Sequence, residues 1–461
     1  MKKLNLVLSL TVMLFLVACK SKNSVETIAL NYFSSNSELI GFGKISFGQI
    51  IDQSKVIENV PIAAALIKDE LGSVKACIDI DQYIYFGVDG KDAKTIGATA
   101  FATVKNVDSL NNYLKERGYS VEKKNNLNIA EEDELIFVFD KDLLAVRAGK
   151  NQERDDFVKT FQSLKDGKGK TDENIVKSLS KDAPILVTLF PDKAYNLNSD
   201  EELKKHVSGD LYNGVLQCVD VQFLKGKIEI TNEFLGDKDK LAKLNFLKDA
   251  KASQAFKISK NAIFDLALNI DLGRIEKENS KLFDYLFAQF LDDDDTEPNP
   301  NDFKGLIRMF STKEHPLTSV FSGLFFVTAD RGDNEQPTLK YYIGSTNTEF
   351  KNYLKDFQEK REKNSEVKIT PNAIEGTLFK SSKAIDYTQN SGAADNVFKL
   401  YLDMDFVTEY SLAKGYKEAT YTKPLKSVDM YSKENITKLT ITTKEPNKNA
   451  LEYLVKTYTT Y

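Results

Sequence analysis

Residues 438–442 read Lys-Leu-Thr-Ile-Thr, so apolar side chains alternate with polar ones along this stretch. A period of two is typical of a β-strand that buries one of its faces. A polar break follows, and after it comes a predicted helix that contains Glu452-Tyr453-Leu454. The stretch therefore predicts a half-buried strand followed by a helix.

The same order of patterns occurs three more times upstream. Alternating strands at 98–104, 227–234 and 339–345 each precede a predicted helix. In the first of these helices, Leu110 and Leu114 lie one helical turn apart and predict an apolar stripe. The equivalent aromatic residues of the four helices are Tyr113, Phe246, Tyr353 and Tyr453, and the candidate helix caps are Asp108, Asp237, Asn347 and Asn447.

Further predicted strands precede each strand–helix pair. Residues 74–80 (VKACIDI) resemble residues 215–221 (VLQCVDV), and 323–327 and 427–430 occupy the same place in the last two units. The opening strands of the four units lie at 40–47, 185–190, 263–270 and 398–404. The sequence thus predicts an α+β fold of four repeated strand–helical insert–strand–strand–helix units, with antiparallel sheets and helices packed on one face.

A chain of 461 residues is long enough for two or more domains. The stretch at 248–260 separates the second unit from the third. We expect an N-terminal half at 31–255, holding units one and two, and a C-terminal half at 256–461, holding units three and four.

The N-terminus has the pattern of an export signal. Lys2 and Lys3 precede a predominantly apolar stretch at 4–17, which ends in Leu16-Val17-Ala18-Cys19. These residues resemble a bacterial lipobox, which implies cleavage before Cys19 and acylation of that cysteine. The prediction is a signal peptide at 1–18 and a lipidated Cys19 with a flexible tether at 19–30. An ordinary signal peptide or a membrane-spanning anchor is the alternative, although the stretch is shorter than the roughly 20 residues that span a bilayer.

The net charge and the distribution of charged residues bear on which kinds of molecule the protein binds. The net charge is −5, and loss of Lys2 and Lys3 with the signal peptide changes it to −7. Acidic and basic residues are interspersed rather than clustered, which disfavours nucleic acid as a partner. The membrane, contacted through the lipid anchor, is the expected partner.

Two cysteines remain after the anchor. Cys77 and Cys218 both lie in alternating apolar stretches, so we expect buried, unpaired thiols on equivalent strands. A disulfide is the alternative, because an exported protein permits one.

No pattern predicts an active site. His206 and His315 are the two histidines, both in polar surroundings, and no G-x-S-x-G motif is present. The cysteines and histidines lack the spacing of a zinc site. We therefore expect no enzyme activity, and predict no catalytic residue, cofactor-binding residue, metal ligand or cofactor.

Three motifs have simpler explanations than a binding site. The acidic run at 292–297 lacks the EF-hand spacing and is typical of a solvated loop. Arg331-Gly332-Asp333 falls in a predicted turn, where Gly and Asp are favoured for backbone reasons. Residues 167–169 lack the spacing of a phosphate-binding loop.

The lipobox, the stretch at 77–86 (CIDIDQYIYF), the stretch at 105–110 (KNVDSL) and Ile270-Asp271 resemble large uncharacterised lipoproteins of Bacteroidota that carry a domain of unknown function. The resemblance would span about residues 30–461. It implies localisation to the envelope of a Gram-negative bacterium. No functional residues are known in these lipoproteins, so none can be assigned in this sequence. Lys20 and Lys22 follow the cysteine where surface-displayed members often have acidic residues, which favours the periplasmic side of the outer membrane over the cell surface.

The expected function is that of a membrane-anchored envelope lipoprotein that binds or carries an apolar or glycan-type ligand without catalysis. Tyr83, Tyr85 and Phe86 form a candidate aromatic platform for such a ligand. The alternative is a structural or assembly lipoprotein that binds other envelope proteins. An apolar cavity would favour the first function, and an exposed apolar patch the second.

Overall fold

The computed structural model of the protein describes residues 24–92, 94–149, 153–167, 171–197, 212–245, 247, 257–259, 261–278, 309–312, 315, 317–331, 337–361, 365–379, 387–389 and 398–459. These residues form two compact bodies, the first ending at Leu197 and the second beginning at Asn198. Both bodies combine helices with an antiparallel sheet, so the predicted α+β class is confirmed.

The first body contains eight strands among its described elements. In chain order these elements are α1 (Val25–Ser35), β1 (Leu39–Ile45), α2 (Phe47–Ser54), α3 (Val56–Asn59), α4 (Pro61–Cys77), β2 (Ile84–Asp89), β3 (Gly97–Thr103), α5 (Val107–Glu116), β4 (Val121–Lys124), β5 (Leu127–Glu132), β6 (Leu135–Phe139), β7 (Leu143–Ala148), α6 (Arg154–Lys165), α7 (Glu173–Leu179), β8 (Ile185–Leu189) and α8 (Pro191–Leu197).

These eight strands pair in the order β4-β5-β6-β7-β3-β2-β1-β8, and every pair is antiparallel. Helix α1 packs on one face of the sheet. Phe33 from this helix stacks on Phe42 of β1, with ring centroids 5.1 Å apart, and Tyr32 meets the edge of Phe101 of β3 at 5.3 Å. The four rings are at most 6% exposed and form the centre of this core.

The second body contains the remaining strands. Its described elements are β9 (Leu216–Leu224), β10 (Lys227–Leu235), α9 (Lys238–Leu244), β11 (Lys257–Ser259), β12 (Ala262–Asn269), α10 (Leu272–Glu278), β13 (Leu324–Asp330), β14 (Thr338–Gly344), α11 (Thr348–Arg361), β15 (Glu366–Thr370), β16 (Ala373–Leu378), β17 (Tyr387–Gln389), β18 (Phe398–Asp403), α12 (Met404–Ala413), a 3-10 turn (Lys417–Thr422), β19 (Leu425–Lys433), β20 (Ile436–Thr443) and α13 (Ala450–Thr459).

Ten of these strands pair in the order β15-β16-β14-β13-β12-β18-β19-β20-β10-β9, again with every pair antiparallel. Strands β11 and β17 form a separate two-stranded ladder. The sequence predicted that the N-terminal half ends at residue 255, but the first body ends earlier. Because β10 pairs with β20, residues 216–235 join the C-terminal strands and the first body ends at Leu197.

The strand predicted at 74–80 is wrong, because residues up to Cys77 belong to helix α4. Pro61 starts this helix at a position where its missing N–H costs nothing, and the following Ala and Leu residues favour a helix. Beyond the helix, Ile78 makes only an isolated bridge to Val104. Cys77 and Cys218 therefore do not occupy equivalent strands, since Cys218 lies within β9.

Candidate functional site

The register of the second sheet aligns apolar side chains into rows. Residues paired directly across antiparallel strands project to the same face, so each row forms a continuous surface. One row crosses seven strands and consists of Val221, Ile230, Leu439, Met430, Leu400, Leu266 and Val327. A second row beside it consists of Phe223, Ile228, Ile441, Val428, Leu402 and Phe264. We call these two rows the apolar face.

Every side chain of the apolar face is partly exposed to solvent. On β9, β12 and β13 the opposite face is more deeply buried although it carries polar side chains, whereas on β10, β18, β19 and β20 it is mostly partly exposed as well. Asp265 on β12 and Thr328 on β13 are 4% and 2% exposed, and Asp220 on β9 is 6% exposed. A sheet normally buries its apolar side, whereas both apolar rows of this sheet remain partly exposed.

Helix α11 shows how the same face is covered at one end of the sheet. Tyr341, which pairs with Val327, is only 7% exposed, and its hydroxyl group donates a hydrogen bond to Oε1 of Gln358 on the helix. Phe350 of the helix belongs to a buried cluster against which Phe325 and Ile343 pack. The helix thus buries Tyr341 of β14, whereas the two apolar rows from β13 to β9 remain partly exposed.

The first body shows the same alternation on a smaller scale. Along β2, Tyr85, Gly87 and Asp89 are buried, whereas the apolar residues between them are partly exposed. These partly exposed residues are Ile84, Phe86 and Val88.

The polar face of the second sheet carries ionisable groups. Burial raises the pKa of Asp265 to about 6, while the hydroxyl of Thr328 donates a hydrogen bond to its Oδ1 at 2.5 Å. Burial also raises the pKa of Asp429. The positive charge of Lys399 lowers both pKa values, and Asp429 acts in the opposite direction on Asp265.

A buried ion pair lies in the first body. The Nη1 and Nη2 atoms of Arg147 donate to the two carboxylate oxygens of Asp89 at 2.8 and 2.6 Å, and Tyr32 donates to Oδ2 at 2.7 Å. Both charged side chains are at most 7% exposed. Above the pair opens a polar cleft of about 740 Å³ that Glu153 and Asp156 also line. The bidentate geometry and the hydrogen bond from Tyr32 make this pair a structural centre of the sheet.

The predicted lipidation site, Cys19, lies outside the described residues, as do His206 and the acidic run at 292–297. His315 is 67% exposed, with Nδ1 3.8 Å from Oε2 of Glu276. Arg331 forms an ion pair with Glu409 at 3.3 Å, and Gly332 and Asp333 fall outside the described part.

Tyr83, Tyr85 and Phe86, the predicted aromatic platform, do not form one exposed surface. Tyr83 and Tyr85 have ring centroids 6.3 Å apart, but Tyr85 is only 6% exposed on the covered face of β2. Phe86 projects from the other face, as strand alternation requires. The Nζ atom of Lys44 lies 4.1 Å from the centroid of the Tyr83 ring.

Neither Cys77 nor Cys218 forms a disulfide, and both are buried, which confirms the expected unpaired thiols. Among the described helices, none is both long and apolar enough to span a membrane. The described ranges also contain no group of three or more His, Cys, Asp or Glu side chains that could hold a metal ion.

No family model matches the chain, and no curated protein matches it. Three solved structures, crystal forms IV, I and III of TP0453, resemble it with 11% sequence identity and TM-scores of 0.31, 0.29 and 0.30. They cover 46%, 46% and 47% of this chain and 81%, 79% and 84% of their own. A likeness of this size carries no argument about fold or function.

Proposed function

We propose that the protein is a non-catalytic envelope lipoprotein that binds an apolar ligand on the apolar face of its second body. The observation that carries this proposal is the partial exposure of two adjacent apolar rows, while polar side chains behind them on β9, β12 and β13 are buried. A contiguous apolar surface exposed to water is typical of a binding site. A ligand with an extended hydrocarbon chain fits a row that crosses seven strands.

The apolar-ligand function is tested with a fluorescent polyene fatty acid, cis-parinaric acid, titrated into the purified protein without detergent. The double variant Met430→Gln/Leu439→Gln keeps the side-chain size in the row but adds polar groups. We expect its affinity to fall by about tenfold or more, since each buried apolar side chain contributes roughly 1.5–3 kcal/mol.

The matched control changes two residues on the opposite face of the same strands, Tyr431→Gln/Thr440→Gln, and should bind as the wild type does. Equal loss in both variants, or no binding by the wild type, would contradict the apolar-ligand function. Co-purification of a stoichiometric envelope protein in place of a lipid would support the alternative, an assembly lipoprotein.

We also propose that acyl chains on Cys19 hold the protein at the outer membrane, facing the periplasm, with the cell surface as the alternative address. The support is the sequence pattern of residues 2–19 and the basic Lys20 and Lys22. A Cys19→Ala variant should be exported yet extractable without detergent, because two or more acyl chains are needed for stable anchoring. The control Cys77→Ala should stay with the membrane, and membrane retention of Cys19→Ala would refute the anchor.

Finally, we propose that the chain contains four repeats of one unit. In support, β1-β2-β3, β12-β13-β14 and β18-β19-β20 are each three-stranded antiparallel meanders with a helix after the first and the last strand. Tyr113, Tyr353 and Tyr453 each lie on the closing helix of their unit and are partly exposed. Phe246 falls outside the described residues. The second unit departs from this order, because β8 pairs with β1 and the β9–β10 hairpin joins β20. Superposition of the four units in an experimental structure tests the equivalence of the four rings.

A further inference from the structure

A cleft of about 530 Å³ opens between the 3-10 turn and helix α13 of the second body. We call it the tyrosine–lysine cleft, after the residues that line it and carry the argument. They are Lys417, Glu418, Tyr421, Lys423, Tyr453 and Tyr458. Its volume lies within the range of small-molecule sites.

Two tyrosine rings form an exposed surface in this cleft. Tyr421 is 69% exposed and Tyr458 is 41% exposed, with centroids 6.2 Å apart and planes inclined by 57°. The hydroxyl of Tyr458 donates to the carbonyl oxygen of Tyr421 at 2.6 Å, which ties the turn to the helix. A hydrogen bond of 2.6 Å between the hydroxyls of Thr408 and Thr422 fastens the turn to α12. The turn is therefore fastened to both helices, and the two exposed rings present apolar surface to solvent.

Two cationic side chains flank the rings. Lys417 and Lys423 are exposed, and within the described part of the chain neither has a carboxylate within ion-pair distance. Glu418 adds one carboxylate, which can accept hydrogen bonds from hydroxyl groups. The cleft thus combines apolar ring surfaces, two unpaired ammonium groups and one hydrogen-bond acceptor.

We propose that the tyrosine–lysine cleft binds an acidic oligosaccharide. The C–H face of a sugar ring packs on Tyr421, a sugar carboxylate pairs with Lys417 or Lys423, and sugar hydroxyls donate to Glu418. A hydrocarbon chain would strip water from the lysine ammonium groups without compensating them.

This cleft is separate from the apolar face, because the turn and α13 line it and no residue of the two apolar rows does. Saccharide binding and binding of an apolar ligand can therefore be measured independently on the same protein. Loss of one with retention of the other identifies which of the two proposals is at fault.

The test is calorimetric titration of the full chain with trigalacturonate, with maltotriose as the uncharged comparator and a thymidine oligonucleotide as the polyanionic one. The wild type should bind trigalacturonate at least tenfold more tightly than either comparator. Tyr421→Ala should weaken this binding about tenfold, and Lys417→Gln/Lys423→Gln should remove the preference for trigalacturonate over maltotriose.

Two control variants carry the same substitutions outside the cleft. Tyr416→Ala changes a tyrosine that is 64% exposed, and Lys433→Gln changes an exposed lysine. Both should bind as the wild type does, and all variants should melt at the wild-type temperature and bind cis-parinaric acid unchanged. No binding of trigalacturonate by the wild type, equal loss in the controls, or tighter binding of maltotriose or the oligonucleotide would overturn the proposal.

Discussion

Asp265 is a carboxyl group placed where its charge is disfavoured. It is 4% exposed on the polar face of the second sheet, and burial raises its pKa to about 6. The folded state therefore holds the proton more tightly than the unfolded chain, whose Asp has a pKa of about 3.9. Its contribution to stability is present below pH 4 and is lost as the pH rises to about 6.

Asp265→Asn should raise the free energy of unfolding at pH 7.5 by about 2 kcal/mol, because it removes this titration. The amide oxygen can still accept the hydrogen bond from Thr328. Urea unfolding at pH 5 and at pH 7.5 measures the difference, with the exposed Asp356→Asn as the control. A variant that is less stable than the wild type at pH 7.5 would contradict the assignment.

The pair of Arg147 and Asp89 differs from Asp265, because the two buried charges are opposite and pair with each other. Arg147→Met should destabilise the first body by about 3–5 kcal/mol, since it leaves a buried carboxylate without its partner. The matched control is Lys91→Met, whose ion pair with Glu38 at 3.1 Å is exposed and contributes at most about 1 kcal/mol. Chemical unfolding distinguishes the two, and equal losses would show that the buried pair is not a structural centre.

Among the secondary-structure elements, the helix caps show that a sequence pattern places the start of a helix only to within about two residues. Asn347 caps α11 as predicted, since its Oδ1 accepts from the N–H of Phe350 at 2.9 Å. In α5 the cap is Asn106 rather than Asp108, and in α13 the side chain that bonds the first turn is Asn449 rather than Asn447. Polar residues two positions apart compete for the role, and only the backbone geometry decides between them.

The two asparagines before α13 form a matched pair. Asn449→Ala should cost about 1–2 kcal/mol, because Oδ1 of Asn449 accepts from Leu451 and its Nδ2 donates to the carbonyl oxygen of Phe223 at 2.8 Å. Asn447→Ala should change the free energy of unfolding by less than about 0.5 kcal/mol. If thermal unfolding shows a larger loss of stability for Asn447→Ala than for Asn449→Ala, Asn447 is the cap, as the sequence predicted.

Alternation predicted strands such as β10 at 227–235 and β20 at 436–443, but it did not predict β4 to β7, or β15 and β16. It failed at 74–80, where a strand-like pattern ends a helix that starts at Pro61. Periodicity also gives no partner, so the pairing of β10 with β20 could not be foreseen. Nor does it say which face is covered, and the apolar face therefore emerges only from the register and the exposure of its side chains.

At the scale of the whole molecule, the two thiols report on the two bodies separately. Cys77 is 3% exposed in the first body and Cys218 is 0% exposed in the second. The denatured, unreduced protein should show two reactive sulfhydryls on quantitative labelling, because the proposed lipid on Cys19 would block the thiol of that residue. In native buffer both should react slowly, and rapid native labelling of either would contradict the burial of that body.

Photo-crosslinking with a diazirine fatty acid shows whether an apolar ligand occupies the apolar face. Peptide mapping should place the adducts within 219–223, 228–230, 398–402, 428–430 and 439–441, and an excess of unlabelled fatty acid should abolish them. Adducts confined to the opposite face, such as Thr231 or Lys438, or adducts that survive competition, would contradict the account.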